Sequence, residues 1–211
     1  LWMAISILVC LYGALCSWAG PTVKFSDYTW AVKTSTRPVG PGPCLFSAAN
    51  VQASQDSVLR LRLTHSAQGW AGAEIINQQS LGYGTYTFIL STALKSGNKT
   101  IHANLMHPNV VIGLFLWDDT PRKKYREIDW ELSRFGRAAS SEPTLLQACV
   151  QPYTIPGRLR RWPCDATVSR LSLSFTWRPD GVTFRALDAE RKTMLFEVWS
   201  PAIAKETIPC P

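Results

Sequence analysis

The chain is 211 residues long, 46% of its residues are apolar, and its formal net charge is +7. A length of this order suits one domain with a sizeable core rather than a string of domains. The positive charge would suit a nucleic-acid partner, but an export signal at the start of the chain argues against one.

The first twenty residues, LWMAISILVCLYGALCSWAG, are apolar, uncharged and end in small residues. A transmembrane helix needs about 20 apolar residues and usually has charged flanks, whereas this run is interrupted by Gly13 and Ser17. We therefore predict a signal peptide at residues 1–19, cut after Ala19, with a retained membrane anchor as the alternative. Residues 20–211 would then form a single secreted, extracellular domain without stable membrane insertion.

Short β-rich runs separated by turn signals follow one another along the rest of the chain. Residues 82–84 (GYG) and 179–181 (PDG) are such signals, and no window of helical length keeps a 3.6-residue period. Many short strands without helices favour a β-sandwich or barrel. The predicted strands are 58–63, 86–90, 110–117, 127–133, 145–151, 171–177, 182–187 and 194–199.

The predicted strand at 127–133 alternates acidic and apolar residues. Successive side chains of a strand point to opposite faces, so Ile128, Trp130 and Leu132 would enter a core. A row of like charges on the other face is destabilising, and catalysis is as good an explanation for it as a solvated surface. That row consists of Glu127, Asp129 and Glu131, with no basic residue between them.

The spacing of these acids suits acid–base chemistry on a sugar. Residues four apart lie about 13 Å apart along a strand, and two glutamates leaning together can bring their carboxyl groups much closer. Retaining glycosidases place the two carboxyls about 5–5.5 Å apart and inverting ones about 6.5–9.5 Å apart, so spacing alone does not choose between them. Three neighbouring carboxylates cannot all ionise readily, so one should stay protonated while another is an anion.

The acidic strand belongs to a longer segment, VVIGLFLWDDTPRKKYREIDWELSRFG, which contains the pattern Glu-x-Asp-x-Glu. Other blocks lie before and after it, in the order WAVKTSTRPVGPGPCLFSAANV, AGAEIINQQSLGYGTYTF, LLQACVQPY and FTWRPDGVTF. Together these blocks, over about residues 28–211, resemble glycoside hydrolase family 16.

The resemblance implies an all-β, concanavalin A-like jelly-roll sandwich of two curved antiparallel sheets. It also implies retaining cleavage of β-linked polysaccharides, or transfer of the cleaved sugar to another sugar. Carried over to this chain, Glu127 matches the nucleophile and Glu131 matches the acid/base. Asp129 matches the assisting residue that keeps the nucleophile correctly protonated.

Four further residues are expected to bind the substrate. Glu74 matches a residue that contacts sugar hydroxyls in related β-glucanases, and would otherwise be an ordinary surface acid. Trp117 either stacks on a sugar ring or belongs to the core. The resemblance also implies a glycan-binding cleft across the concave sheet. Gln147 and Gln151 share one face of a strand, and for both we favour a position in this cleft slightly over a solvated one.

The cysteines predict disulfides, because four of them remain in the exported part of the chain. Four cysteines allow three pairings, and Cys149 with Cys164 is the first choice since it closes one short loop. Cys44 would then pair with Cys210. The chain has no CxxC motif and its three histidines are scattered, so we predict no metal site of the zinc type.

Some positions depart from the family pattern. Ile76 stands two residues after Glu74, where β-glucanases of the family commonly have Arg. Leu173 stands where many members have His, and Cys44 where relatives with the Gly-Pro-Gly-Pro motif usually have Asn. The chain also ends at ETIPCP, before an expected C-terminal strand block, so either the sequence is truncated or the domain lacks its last strand.

The sequence therefore predicts a secreted, retaining endo-glycoside hydrolase that acts on a β-linked polysaccharide of the β-glucan type. A transglycosylase, or a non-catalytic carbohydrate-binding or cell-wall protein on the same scaffold, is the alternative. Basic clusters at 122–126 and 158–161 leave an anionic polysaccharide open as the substrate. No cofactor is expected for catalysis, a structural calcium ion stays open, and we expect a monomer.

Overall fold

The computed structural model describes residues 5–12, 19–40, 43–54, 58–77, 79–91, 93–96, 99–102, 106–117, 127–137, 143–165 and 167–201. Within these ranges the chain forms β-strands and one short 3-10 turn, Ala48–Asn50. No helix in them is long and apolar enough to cross a bilayer. The strands are β1 Ile5–Tyr12, β2 Thr22–Phe25, β3 Tyr28–Val32, β4 Leu45–Phe46, β5 Val51–Ala53, β6 Leu59–Leu61, β7 Thr64–Ser66, β8 Gly69–Asn77, β9 Gly84–Ser91, β10 Ala93–Ser96, β11 Lys99–His102, β12 Val110–Trp117, β13 Glu127–Ser133, β14 Leu145–Val150, β15 Leu159–Pro163, β16 Arg170–Arg178, β17 Gly181–Asp188 and β18 Thr193–Pro201.

Two sheets make up most of the structure. The larger has the order β15-β14-β13-β12-β1-β8-β3-β2, and the short strands β4 and β7 also pair with β8. The smaller has the order β18-β17-β16-β9 and is antiparallel throughout. Two small pairs, β5–β6 and β10–β11, complete the described strands.

The core lies between the two sheets and is formed by alternate residues of their facing strands. Trp130 of β13 is fully buried, its ring meets Phe184 of β17 edge-on at 5.3 Å, and its Nε1 donates to the Ser174 carbonyl at 3.0 Å. An edge-on aromatic pair contributes about 0.5–1.5 kcal/mol beyond the burial of its area. Ile128 and Leu132 are buried on the same face, as the sequence predicts. The opposite face of β13 is thereby left to its acidic residues.

All eight strands expected from the sequence are present, with ends that differ by a few residues. β12 and β13 have the predicted bounds, whereas the run predicted at 58–63 is the shorter β6. β8 was not predicted as a strand, because GWAGAEIIN is rich in glycine and alanine and lacks a two-residue alternation. Sheet pairing on both sides outweighs that weak local preference.

β1 lies inside the segment that is predicted to be a signal peptide. It pairs in parallel with β12 on one side and with β8 on the other, in the middle of the larger sheet. The other pairings along the main strand order of that sheet are antiparallel: β12 with β13, β13 with β14, β14 with β15, β2 with β3 and β3 with β8. Cleavage after Ala19 stays a prediction, and it would remove this central strand.

The predicted disulfide between Cys149 and Cys164 is wrong. Cys149 lies opposite Leu159, whereas Pro163, which precedes Cys164, lies opposite Leu145 at the other end of β14. Four residues along a strand span about 13 Å, and a disulfide needs Cα atoms within about 7 Å. Both cysteines are buried free thiols.

The second predicted pairing is not tested by the described residues. Cys44 is buried, and its thiol donates to the carbonyls of Leu45 at 3.0 Å and Trp70 at 3.7 Å. Its predicted partner, Cys210, lies outside the described residues. A bond between the two therefore stays a prediction.

Candidate active site

The outer face of the larger sheet carries the predicted catalytic residues. Residues directly opposite each other on neighbouring strands share a face. Glu131 lies opposite Gln147, and Gln147 lies opposite Arg161, so the three form one row across β13, β14 and β15. Glu127 and Asp129 have the same parity on β13, so the three carboxylates share the outer face, as predicted.

A chain of hydrogen bonds joins the row that contains Glu131. The Nε–H of Arg161 donates to Oε1 of Gln147 at 2.6 Å, and Nε2 of Gln147 donates to Oε2 of Glu131. Gln147 is buried, so its amide is held between a cation and a carboxyl group. The structure brings Gln147 into direct contact with the predicted acid/base.

Asp129 is the most deeply buried of the three acids, with 3% of its surface exposed. The thiol of Cys149, directly opposite on β14, donates a hydrogen bond to its carboxyl group. Its Oδ1 has no hydrogen-bond partner among the residues that the structure describes. An unpaired oxygen at this depth costs less free energy on a neutral carboxylic acid than on an anion.

Burial raises the pKa values of all three acids, and repulsion from neighbouring carboxylates adds to the effect at Glu127 and Asp129. Burial is the larger cause for Glu127, whose pKa is raised to about 7, and the charge of Glu131 adds to it. Burial also raises the pKa of Asp129 well above its usual range, with further repulsion from Glu131 and Glu127. The group is therefore built to hold protons near neutral pH, which suits acid–base chemistry.

The surroundings of the two glutamates are unequal. Burial raises the pKa of Glu131, but the Arg161 guanidinium and the Gln147 amide both act to lower it. Glu127 has no such support among the described residues, and its pKa is raised by both causes. Among the described residues, Glu131 but not Glu127 therefore has neighbours that favour its carboxylate form.

A cavity of about 290 Å³ opens beside Glu131. Gln147, Arg161 and Gln151 line it together with Tyr153, whose side chain is 58% exposed. Gln151 also adjoins the catalytic strand, because its backbone N–H donates to the Glu127 carbonyl at 2.9 Å. The structure therefore places both predicted glutamines at this cavity.

Trp117 lies directly opposite Glu127 at the end of β12 and shares its face. Its side chain is 36% exposed, unlike the buried Trp130 on the core face. The sequence left open whether Trp117 belongs to the core or to the face that would bind sugar. In the structure Trp117 lies on the acidic face and not in the core. An exposed indole there has an apolar surface suitable for stacking on a sugar ring.

Glu74 lies on the same transverse row as Glu131 but is separated from it by β1 and β12. Three strand spacings correspond to about 14 Å. Glu74 is buried and forms an ion pair with Lys33 at 2.6 Å, and the Lys33 ammonium lies 4.2 Å from the Phe46 ring centroid. The structure therefore does not bring Glu74 together with the three acids.

An apolar cluster lies between Glu74 and the acids. Phe46 and Phe115 are buried at its centre, with Val39 and Ile76 packed against them. Phe115 is directly opposite Asp129, so the cluster reaches the catalytic strand. Ile76, the departure from the family pattern, therefore belongs to a packed apolar patch on the outer face.

Sequence reasoning missed Arg161, Cys149 and Tyr153 as parts of the site. Arg161 was one member of a basic cluster, and Cys149 was assigned to a disulfide. Finding them requires the register between β14 and β15, which follows from the turn at 151–158 and from packing rather than from a motif. Cys149 lies two residues after Gln147 on the same strand and so has the same face as this predicted site residue, which could have indicated its place in the site.

The basic cluster at 158–161 does not form one positive patch. Arg158 is buried and its Nη1 donates to the Gln151 carbonyl at 2.9 Å. Arg160 and Arg161 are successive residues of β15 and point to opposite faces. The other cluster, at 122–126, lies outside the described residues.

The described part of the chain contains no group of three or more His, Cys, Asp or Glu side chains placed to hold a metal ion. The acidic row of β13 lies within this part of the chain and is not such a group. A structural calcium ion elsewhere stays open.

Comparison with known proteins finds likeness in structure but not in sequence. No protein-family model matches the chain, and no curated protein matches it either. A β-glucanase from Bacillus licheniformis has a TM-score of 0.55 and 18% identity, over 88% of this chain and 83% of that one. A prokaryotic β-1,3-1,4-glucanase (lichenase) from a mouse hindgut metagenome has a TM-score of 0.57 and 17% identity, over 85% and 78%.

A third similar structure is described as an immunostimulatory antigen and pseudo β-1,3-glucanase of Mycobacterium tuberculosis. Its TM-score is 0.52 and its identity 16%, over 84% of this chain and 72% of that one. At such identities the likeness establishes the fold alone. The predicted jelly roll is confirmed, and the chemistry has to be argued from the site.

Proposed function

We propose that this jelly-roll protein is a glycoside hydrolase that cleaves internal bonds of β-linked polysaccharides. The reaction retains the configuration of the anomeric carbon. The observation that carries the proposal is the row of Glu127, Asp129 and Glu131 on one face of β13, with raised pKa values and a cavity beside Glu131. Repulsion within this row destabilises the fold, and paired carboxylates are what glycoside hydrolysis needs. The likeness in fold to two β-glucanases supports the same class of substrate.

In the proposed reaction the Glu127 carboxylate attacks the anomeric carbon. The bond to the leaving sugar breaks, its electron pair stays on the glycosidic oxygen, and that oxygen takes the proton of Glu131. Glu131, now an anion, removes a proton from water, and the resulting hydroxide displaces Glu127 from the glycosyl-enzyme. A second sugar in place of water would give transglycosylation.

Asp129 and the residues around the cavity have supporting roles in this proposal. A neutral Asp129 adds no third charge beside Glu127 and can share a proton with its neighbours. Trp117 and Tyr153 offer exposed rings on which sugars can stack, and Gln151 offers an amide to their hydroxyls. Export of the protein, as the apolar N-terminal segment predicts, would place it where polysaccharides occur.

Chemical rescue tests both the reaction and the two roles. We expect Glu127→Ala and Glu131→Ala to lower turnover of a soluble β-glucan by about 10²-fold or more. With azide and an aryl β-glycoside, the Glu127 variant should give the α-glycosyl azide, because azide replaces the nucleophile directly. The Glu131 variant should give the β-glycosyl azide, because azide attacks the glycosyl-enzyme.

The controls separate loss of chemistry from loss of fold. Each variant should keep the near-ultraviolet circular dichroism of the parent, and Glu190→Gln, a change at an exposed position, should keep parental turnover. Parental turnover in both folded active-site variants would contradict the proposal. If the Glu127 variant gave the β-glycosyl azide and the Glu131 variant the α-glycosyl azide, the retaining reaction would stand but the two residues would have the opposite roles.

A second candidate is a carbohydrate-binding protein without catalysis. The packed cluster of Phe46 and Phe115 beside Asp129, together with the Lys33–Glu74 ion pair, occupies part of the outer face next to the acids. The likeness to a protein described as a pseudo β-1,3-glucanase is compatible with this candidate. Binding on a β-glycan array without released sugars after long incubation would favour it over the hydrolase.

A further inference from the structure

Arg161 is joined to Glu131 by hydrogen bonds through the amide of Gln147. Arginine has no hydrogen-bond acceptor, so a hydrogen bond with that amide must use the amide oxygen and not its NH₂ group. The 2.6 Å contact with Oε1 therefore fixes the amide in one of its two orientations. The NH₂ group is left facing Glu131, where Nε2 donates to Oε2.

The orientation of the amide determines what Glu131 can do. An oxygen that accepts from the NH₂ group of Gln147 cannot carry a proton pointed at the same group. The contact therefore favours a proton of Glu131 on the other oxygen, Oε1, because the carbonyl oxygen of a carboxylic acid is its stronger acceptor. When Glu131 is an anion, the same contact and the Arg161 charge stabilise the carboxylate.

Arg161 is itself held in place from the side. Its guanidinium carbon lies 4.3 Å from the centroid of the Phe135 ring, a cation–π contact. Phe135 has a φ of 46°, a left-handed conformation that is unfavourable for a bulky residue. Its N–H donates to the Ser133 Oγ at 2.9 Å, so the end of β13 holds a strained backbone whose ring supports Arg161.

We propose that Arg161 is a positioning residue that acts through Gln147 to fix which oxygen of Glu131 carries the acid proton. The inference rests on the proposed function for its catalytic meaning, but the effect of Arg161 on the protonation of Glu131 can be measured without turnover. Lysine in place of Arg161 keeps a charged donor, whereas methionine keeps only the volume. Arg160, the preceding residue on the opposite face of β15, provides a matched control.

Other titratable groups on the surrounding elements also affect the electrostatic field at Glu131. Asp129 and Glu127 lie on its own strand, and the Cys149 thiol lies on β14. Gly113, opposite on β12, carries no charge, and the Lys33–Glu74 pair lies beyond β1. Among the described residues, Arg161 is therefore the cation whose removal most directly changes the field at Glu131.

The test is a ¹³C NMR titration of glutamate carboxyl groups in the full chain, with Glu131 assigned through Glu131→Gln. Because Arg161 lowers the pKa of Glu131, Arg161→Met should move its titration to higher pH, while Arg161→Lys should stay near the parent. Arg160→Met should leave it unchanged. An unmoved Glu131 in Arg161→Met, or an equal shift in Arg160→Met, would overturn the proposal.

Kinetics give a second readout if the protein hydrolyses β-glucan. We expect Arg161→Met to lower kcat about tenfold, less than the loss of Glu131 itself, and to move the basic limb of the kcat profile to higher pH. Arg161→Lys should restore both. If Arg161→Met does not fold, Arg161→Gln replaces it in the titration, and a parental Glu131 titration there overturns the proposal equally. An inactive parent protein would refute the hydrolase and leave the titration as an independent result.

Discussion

Glu127 is a residue whose environment opposes its charge. Its pKa of about 7 lies above the ordinary value of 4.5 because the side chain is buried and faces Glu131. Between these two pH values the folded protein binds more protons than the unfolded chain, so stability falls as pH rises. The loss amounts to about 3 kcal/mol at most, a large share of the free energy of unfolding of an ordinary domain.

We therefore predict that Glu127→Gln is more stable than the parent at pH 8 by about 2–3 kcal/mol. The difference should shrink as pH falls through 7 and vanish below about 4.5, where the parent carboxyl is protonated too. Urea denaturation of both proteins from pH 4 to 9 measures it. Glu190→Gln serves as the exposed control, and a variant no more stable than the parent at pH 8 would contradict the prediction.

At the scale of elements, β12 and β13 were predictable and their partners were less so. Alternation in 127–133 was sufficient to assign Trp130 to the core and the acids to the other face, because the period of two is a local property. β8 lacks that pattern, and the register of β15 depends on the loop before it. The contacts that Arg161 and Cys149 make with the acidic residues could therefore not be predicted from the local sequence pattern.

The two faces of the β12–β13 pair should respond differently to substitution. Trp130→Ala leaves a cavity under Phe184 and should cost about 3–5 kcal/mol of stability. Trp117→Ala removes an exposed ring opposite Glu127 and should cost less than about 1 kcal/mol while raising KM for β-glucan. Thermal unfolding and initial rates separate the two effects. A large fall in Tm with unchanged KM in Trp117→Ala would assign this residue to packing instead.

For the whole molecule, the fold could be inferred from the blocks and turn signals, although no curated sequence matches the chain. The jelly roll tolerates extensive change because its core needs apolar residues of about the right size at alternate positions. The outer face is less predictable, since the contact of Ile76 with Phe46 and Phe115 depends on three separate segments. What the cleft binds is therefore less evident than which strand is catalytic.

The central position of β1 gives a prediction for the whole molecule. Removing residues 1–19 would leave the facing edges of β8 and β12 without their parallel partner, and unpaired edges are destabilising and prone to association. We expect the shortened chain to unfold at a lower temperature than the full chain, with faster amide exchange in β8 and β12. Removal of residues 1–4, which precede β1, is the control. Equal exchange and Tm in the full and shortened chains would contradict the prediction.

The parallel pairing of β1 also sets an order of events during synthesis. β1 leaves the ribosome before the other described strands, yet one of its two neighbours is β12, whose partner residues begin at Val110 opposite Ile5. The larger sheet cannot close until β12 has been made, and contacts between such distant segments form slowly. If the same residues direct export, the translocation machinery and the folding sheet compete for one strand. The chain must then reach its destination before it folds, or fold and stay where it was made.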